Sequence, residues 1–146
     1  MNADPKVAYF LDTNILVYAY DRSAGQKHNL AVQLIEGCWE NENGCLSIQV
    51  LQEFFVTVTR RITTPLDPQT ARQIVADLAH WRLHSPQPSD LLQVIDFQQG
   101  HQLAVWDAQV VQSAASLGCK QLLSEDLHHG QVYSGVQVIN PFRELD

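Results

Sequence analysis

The 146-residue sequence lacks several patterns that would place it in a specialised class of protein. No apolar run is long enough to cross a bilayer, and the first residues lack the basic stretch and apolar core of a secretion signal. The three cysteines, Cys38, Cys45 and Cys119, include no CxxC pair, which argues against a disulfide framework or a zinc site. We therefore expect a soluble cytoplasmic protein, without a membrane anchor, in which Cys45 and Cys119 are small core residues.

Basic residues are also scarce, with 9 Lys and Arg against 16 Asp and Glu and a formal net charge of −7. This balance argues against a long nucleic-acid duplex as partner, because affinity for phosphate normally requires a basic surface. A short or locally held strand stays possible, since two bound divalent ions would change the charge from −7 to −3 (−7 + 4). The 45% hydrophobic content is that of an ordinary globular protein, and we expect one domain over residues 1–146.

Segments with strand and helix patterns alternate along the chain. This alternation predicts an α/β fold, a three-layer α/β/α sandwich with a central, mainly parallel sheet. The predicted strands are residues 7–11, 45–46, 122–123 and 136–139. The predicted helices start with the N-caps Thr13, Ser47 and Asp67, and others follow through Leu30 to Ile35, through Leu91, Leu92 and Ile95, and from Asp107 to a stop at Gly118.

Four acidic residues each lie where an apolar segment meets a polar turn or a helix: Asp12, Glu53, Asp107 and Asp126. The ends of parallel strands converge on one crevice in an open α/β fold. Four carboxylates in one crevice would repel each other strongly unless a cation lay among them. Since Mg²⁺ and Mn²⁺ prefer oxygen ligands, the leading hypothesis is metal-assisted chemistry.

Each of these acids taken alone also has an ordinary structural interpretation. Asp12 and Asp107 could favour the start of a helix, Asp126 could cap a turn and Glu53 could face solvent. Glu53 is the hardest to explain in this way, because it borders the apolar face that includes Val50 and Phe54. A carboxylate in that position is costly without a partner.

Together these motifs resemble the PIN domain family. The similarity runs from Phe10 to Phe142 and is carried by the order of four short motifs and a tail: Asp12-Thr13-Asn14, Glu53 within Val50–Phe54, Asp107-Ala108, Ser124-Glu125-Asp126 and Val138–Phe142. Within the family, the chain resembles VapC-type toxins, which are small ribonucleases of bacterial toxin–antitoxin pairs.

The resemblance implies a metal-dependent endoribonuclease. It implies that Asp12, Glu53, Asp107 and Asp126 bind one or two Mg²⁺ or Mn²⁺ ions, and that Thr13 or Asn14, with Ser124, orients the ligands. It further implies an RNA substrate, a cognate antitoxin and a homodimer. Some relatives have a further acid where this chain has His128, so a stable second ion would need oxygens from the substrate phosphate.

Several other side chains are candidates for contact with RNA, among them Arg22 and Lys27 in the loop after the first predicted helix. Arg60 and Arg61 end the predicted helix of Glu53, where they could bind phosphate or simply favour the helix dipole. Trp106, beside Asp107, could stack on a base, but we expect it in the core. His128 and its neighbour are expected to be loop residues.

Two other enzyme or signalling classes fit less well. The segment from Asp12 to Ile15 is similar to the signature of haloacid-dehalogenase-like phosphatases, but Asn14 occupies the position of the second Asp that acts as general acid. A phospho-receiver domain needs a lysine at the end of its last strand, and none lies there. The alternative that stays open is a PIN fold that binds RNA or a partner without cutting.

Overall fold

The protein is described here by a computed structural model that covers residues 7–145. A six-stranded sheet in the order β3-β2-β1-β4-β6-β5 is flanked by helices, which confirms the predicted α/β architecture. All neighbouring strands are parallel except β5 and β6. The strands are β1 Tyr9–Leu11, β2 Gly44–Ser47, β3 Arg82–His84, β4 Gln121–Leu123, β5 Val132–Tyr133 and β6 Val136–Ile139. The helices are α1 Thr13–Tyr18, α2 Gln26–Asn41, α3 Ile48–Arg60, α4 Pro68–Leu78, α5 Pro88–His101 and α6 Val105–Ser116, with a 3₁₀ turn at Arg22–Ala24.

The core is centred on β1, which lies between β2 and β4 and is buried along its whole length. A strand covered on both faces needs a continuous apolar run, as its sequence Tyr-Phe-Leu provides. The three cysteines are buried and free, so Cys45 and Cys119 are core residues as predicted. Within residues 7–145, no helix has the length and apolar character needed to span a membrane.

The polar residues that start the helices near the site were largely predictable. Ser47 accepts a hydrogen bond from the backbone N–H of Val50 at 3.2 Å and caps α3, and Asp67 caps α4 with Pro68 in its first turn. The cap of α1 is Asp12 and not Thr13, because Asp12 has the extended backbone and its carboxylate accepts from the Thr13 N–H. One carboxylate oxygen of Asp12 is thereby fixed by the first turn of α1.

Two short strands, β3 and β5, were missed by the sequence analysis. Both lie at edges of the sheet and their own residues are partly exposed, so pairing with the neighbouring strand defines them more than apolar content does. Trp81 immediately precedes β3 and packs on Gly44 of β2. A Cβ atom at Gly44 would lie 2.3 Å from the indole ring, so this close approach requires glycine.

Helix α5 was predicted correctly, but its predicted apolar face is not buried. Leu91, Leu92 and Ile95 are 51%, 62% and 39% exposed, whereas Val94 is buried. Helix α5 therefore has three large apolar side chains exposed on the protein surface.

Candidate metal centre

The parallel pairing of β1 with β4 brings two of the four predicted acids to one edge of the sheet. Leu11 is opposite Leu123, so Asp12 and the Ser124–Asp126 segment both follow strands that end at the same level. Glu53 on α3 and Asp107 in the first turn of α6 complete the walls of an open cleft of about 590 Å³. We call this the acidic cleft; it is lined by Asp12, Thr13, Asn14, Gln49, Gln52, Glu53, Val56, Thr57, Arg61, Trp106, Asp107, Val110 and Asp126.

Asp12 is the most deeply buried of the four acids, with 6% of its surface exposed. Its Oδ1 accepts from the Thr13 N–H at 2.8 Å, and its Oδ2 accepts from Ser124 Oγ at 2.8 Å. Burial raises the pKa of Asp12 to about 6, although both hydrogen bonds favour the charged form. Two hydrogen bonds therefore hold the Asp12 carboxylate in place, and its separation from water makes the charged form less favourable.

The other predicted orienting residues also contact carboxylates of the cleft. Thr13 Oγ1 donates to Glu53 at 3.0 Å, and Asn14 Nδ2 donates to Asp126 at 2.9 Å. Ser124 connects two acids, because its Oγ also accepts from the backbone N–H of Asp126 at 3.2 Å. The structure thus places Thr13, Asn14 and Ser124 each against an acid of the cleft.

Among the described residues, the acids of the cleft are not paired with basic side chains, although Arg61 lies in its lining. In the part of the chain from residue 7 to 145, none of the four carboxylates forms an ion pair. Loss of water raises the pKa of Asp107, and the charges of Asp126 and Glu53 raise it further. The pKa of Asp126 is raised by desolvation first and then by the charges of Glu125 and Glu53, against the lowering effect of Asn14.

The chemistry of these side chains fits a hard divalent cation. Four carboxylates supply the oxygen ligands that Mg²⁺ and Mn²⁺ prefer. Over residues 7–145, no three acidic, His or Cys side chains converge tightly enough to hold an ion as they stand. Three of the four carboxylates, those of Asp12, Glu53 and Asp126, accept hydrogen bonds from neutral side chains. A cation shared by these acids would therefore require their side chains to turn inward.

The segment that carries Asp126 is anchored by a cluster that sequence analysis missed. Lys27 Nζ lies 2.9 Å from the Glu125 carboxylate, and the Tyr18 hydroxyl donates to the same carboxylate. The ammonium also lies 5.2 Å from the centre of the Tyr18 ring and 5.8 Å from that of Phe142. No sequence pattern connects Lys27 with Glu125, because 98 residues separate them.

The candidates for substrate contact separate into two groups. Arg61 lines the acidic cleft, whereas Arg60 is exposed outside it. Trp106 is 65% exposed on the cleft wall, so the expectation that it lies in the core was wrong. His128 is exposed outside the cleft, and His129 Nδ1 accepts from the Asn140 N–H at 3.0 Å, in agreement with the loop interpretation.

Comparison with known proteins agrees with this architecture. VapC20 of Mycobacterium tuberculosis, described as a sarcin–ricin loop cleaving toxin, is 16% identical, with a TM-score of 0.59 over 79% of this chain and 87% of the other. VapBC2 of Rickettsia felis, bound to a DNA fragment from its promoter, is 16% identical, with a TM-score of 0.63 over 90% and 97%. No curated protein sequence matches the chain significantly. The sequence model of the PIN domain matches residues 9–134, and the chain belongs to the PIN domain family.

Proposed function

We propose that this protein is a metal-dependent endoribonuclease and the toxin of a toxin–antitoxin pair. The observation that carries the proposal is the acidic cleft, where Asp12, Glu53, Asp107 and Asp126 lie together with no basic partner among residues 7–145. Membership of the PIN family and the fold shared with VapC20, a toxin described as cleaving the sarcin–ricin loop, support a nuclease.

In this proposal the four acids are the protein ligands of Mg²⁺ or Mn²⁺. Asp12, Asp107 and Asp126 would hold one ion, and Glu53 would contribute to a second. Bound ions would lower the pKa of water, and so supply a nucleophile, and would stabilise charge on the leaving 3′ oxygen. Ser124 fixes Asp12 relative to the segment of Asp126.

Cleavage of a labelled, structured RNA by the purified protein tests the proposal. We expect cutting with Mn²⁺ or Mg²⁺ and none with a chelator, because four close carboxylates without a cation repel the phosphate. Cutting that persists in chelator contradicts metal dependence. Absence of cutting together with metal binding in calorimetry contradicts the nuclease and favours a PIN fold that binds RNA or a partner.

Arg61 is proposed to contact the substrate phosphate, and Arg60 provides a matched control. Because Arg61 lines the cleft, Arg61→Ala is expected to weaken RNA binding about tenfold. It should also reduce the slope of log Kd against log salt concentration by about one, since one fewer phosphate is neutralised. Arg60→Ala removes the same charge outside the cleft and is expected to change binding far less. Kd measured against salt concentration checks both variants, and equal losses would show that general charge explains the effect.

Two protein partners complete the proposed function. A cognate antitoxin with a basic side chain would enter the acidic cleft, and complementary charge would speed the encounter. The exposed apolar side chains of α5, Leu91, Leu92 and Ile95, offer a contact surface for a homodimer.

A further inference from the structure

Trp106 is the most exposed of the large apolar side chains in the described part of the chain, at 65%. It immediately precedes Asp107 and lines the acidic cleft. The other two tryptophans differ, because Trp39 and Trp81 pack edge to face with their ring centres 5.4 Å apart. Of the three tryptophans, Trp106 alone therefore presents an exposed indole in the acidic cleft.

Gln49 lies on the same wall and is incompletely paired. Its side chain is buried, at 7% exposure, and Nε2 donates to Glu53 at 2.7 Å and lies 3.5 Å from the Trp106 carbonyl oxygen. Both neighbours are acceptors, so the amide cannot be turned over without placing its oxygen against them. Oε1 has no hydrogen-bond partner among residues 7–145 and is itself fully buried, so a ligand cannot reach it. Gln49 therefore connects Glu53 with the backbone of Trp106 and leaves the exposed indole as the group that is open to a ligand.

We propose that Trp106 forms a nucleoside subsite of the acidic cleft, in which its indole stacks on an unpaired base of the substrate. The inference rests on the proposed ribonuclease function. It identifies part of the substrate as a single-stranded nucleotide next to the phosphate that is cut.

A nucleotide matches the exposed indole of Trp106. Each base has a flat face that can cover an indole, and stacking of this kind tolerates different bases. Bases inside a duplex are already stacked, so the subsite requires a loop or an unpaired segment.

Binding of single-stranded oligoadenylate tests the stacking contact, in an Asp107→Asn background that prevents cutting. Trp106→Ala is expected to weaken binding about 5- to 100-fold, and Trp106→Phe is expected to restore most of it. An abasic sugar–phosphate chain should bind equally to the parent and to Trp106→Ala. Trp39→Ala removes a tryptophan that is 44% exposed outside the cleft and should change neither affinity.

Several outcomes would overturn the subsite. One is oligoadenylate binding by Trp106→Ala that equals the parent, and another is an equal loss on the abasic chain. A third is a Trp106→Ala variant that keeps RNA affinity but loses self-association or antitoxin binding, since a protein would then cover the indole. Failure of the proposed function appears separately, as a wild-type protein that cuts no RNA with Mn²⁺ whatever the result of this titration.

Discussion

Asp107→Asn is expected to lower metal-dependent RNA cleavage by about a thousandfold or more while the fold stays intact. The amide keeps the shape of the side chain but removes a charge from the proposed ion site, and metal stabilisation of a developing charge amounts to several kcal/mol. The carboxylate of Asp107 has no hydrogen-bond or ion-pair partner in residues 7–145, so the substitution breaks no structural contact. Single-turnover kinetics measure the cleavage rate, calorimetric titration measures metal affinity, and circular dichroism measures whether the fold is retained.

Asp96→Asn is the matched control for this prediction. Asp96 is exposed on α5 and does not line the cleft, so the same chemical change there should leave cleavage and metal affinity as they are. An active Asp107→Asn protein would remove Asp107 from the proposed site. A comparable loss in Asp96→Asn would show that the response to lost charge is not specific to the cleft.

Asp12→Asn is expected to have opposite effects on activity and stability. Cleavage should be lost, but the metal-free protein should become more stable by about 3 kcal/mol at pH 8. The folded-state pKa of Asp12 is about 6, against 3.8 for an ordinary Asp, so folding is penalised once this group ionises. Asparagine carries no charge and remains a good N-cap for α1.

The pH dependence identifies the cause of this gain in stability. In the wild-type protein, the folded state retains a proton that the unfolded chain has lost between about pH 4 and pH 6, so the free energy of unfolding falls as pH rises through that window. The free energy of unfolding of Asp12→Asn should therefore exceed that of the wild type by an amount that grows from pH 4 to pH 7 and then levels off. Denaturant unfolding in the presence of chelator measures it, and a gain that does not depend on pH would contradict burial of the charge as its source.

Two comparisons complete the test of Asp12. Asp67→Asn changes the same residue type at an exposed N-cap and should alter stability little. Mn²⁺ should raise the unfolding temperature of the wild type and not that of Asp12→Asn, because a ligand that binds the folded state stabilises it. Equal stabilisation of both proteins by Mn²⁺ would place the ion elsewhere.

The sequence was sufficient to predict the parts of the fold that local chemistry determines. The buried apolar run of β1, the caps Ser47 and Asp67 and the stop at Gly118, whose φ is +74°, are each set by a few neighbouring residues. The four acids were singled out in the same way, since each follows or borders an apolar segment. Parallel pairing of β1 with β4 explains why Asp12 and Asp126 lie in one cleft, whereas Glu53 and Asp107 reach it from α3 and α6.

What was missed depends on contacts between distant parts of the chain. The edge strand β3 forms because β2 offers it a partner, and its own sequence, Arg-Leu-His, has little strand character. The same limit applies to Trp106, because no local pattern distinguishes a buried indole from one on a cleft wall. Gln49 gave no signal at all, since an unpaired oxygen is visible only when every neighbouring donor has been placed.

The acidic cleft is assembled from segments more than a hundred residues apart, and this determines when during synthesis the proposed cutting activity can first appear. Asn14 contacts Asp126, and Ser124 contacts Asp12, each across 112 residues. On the ribosome, β1 emerges early, but β4, its partner on one side, is made more than a hundred residues later. A nascent or prematurely terminated chain therefore lacks the last carboxylate and its anchor. On the proposed function, cutting activity appears only after β4 and the Ser124–Asp126 segment have been made.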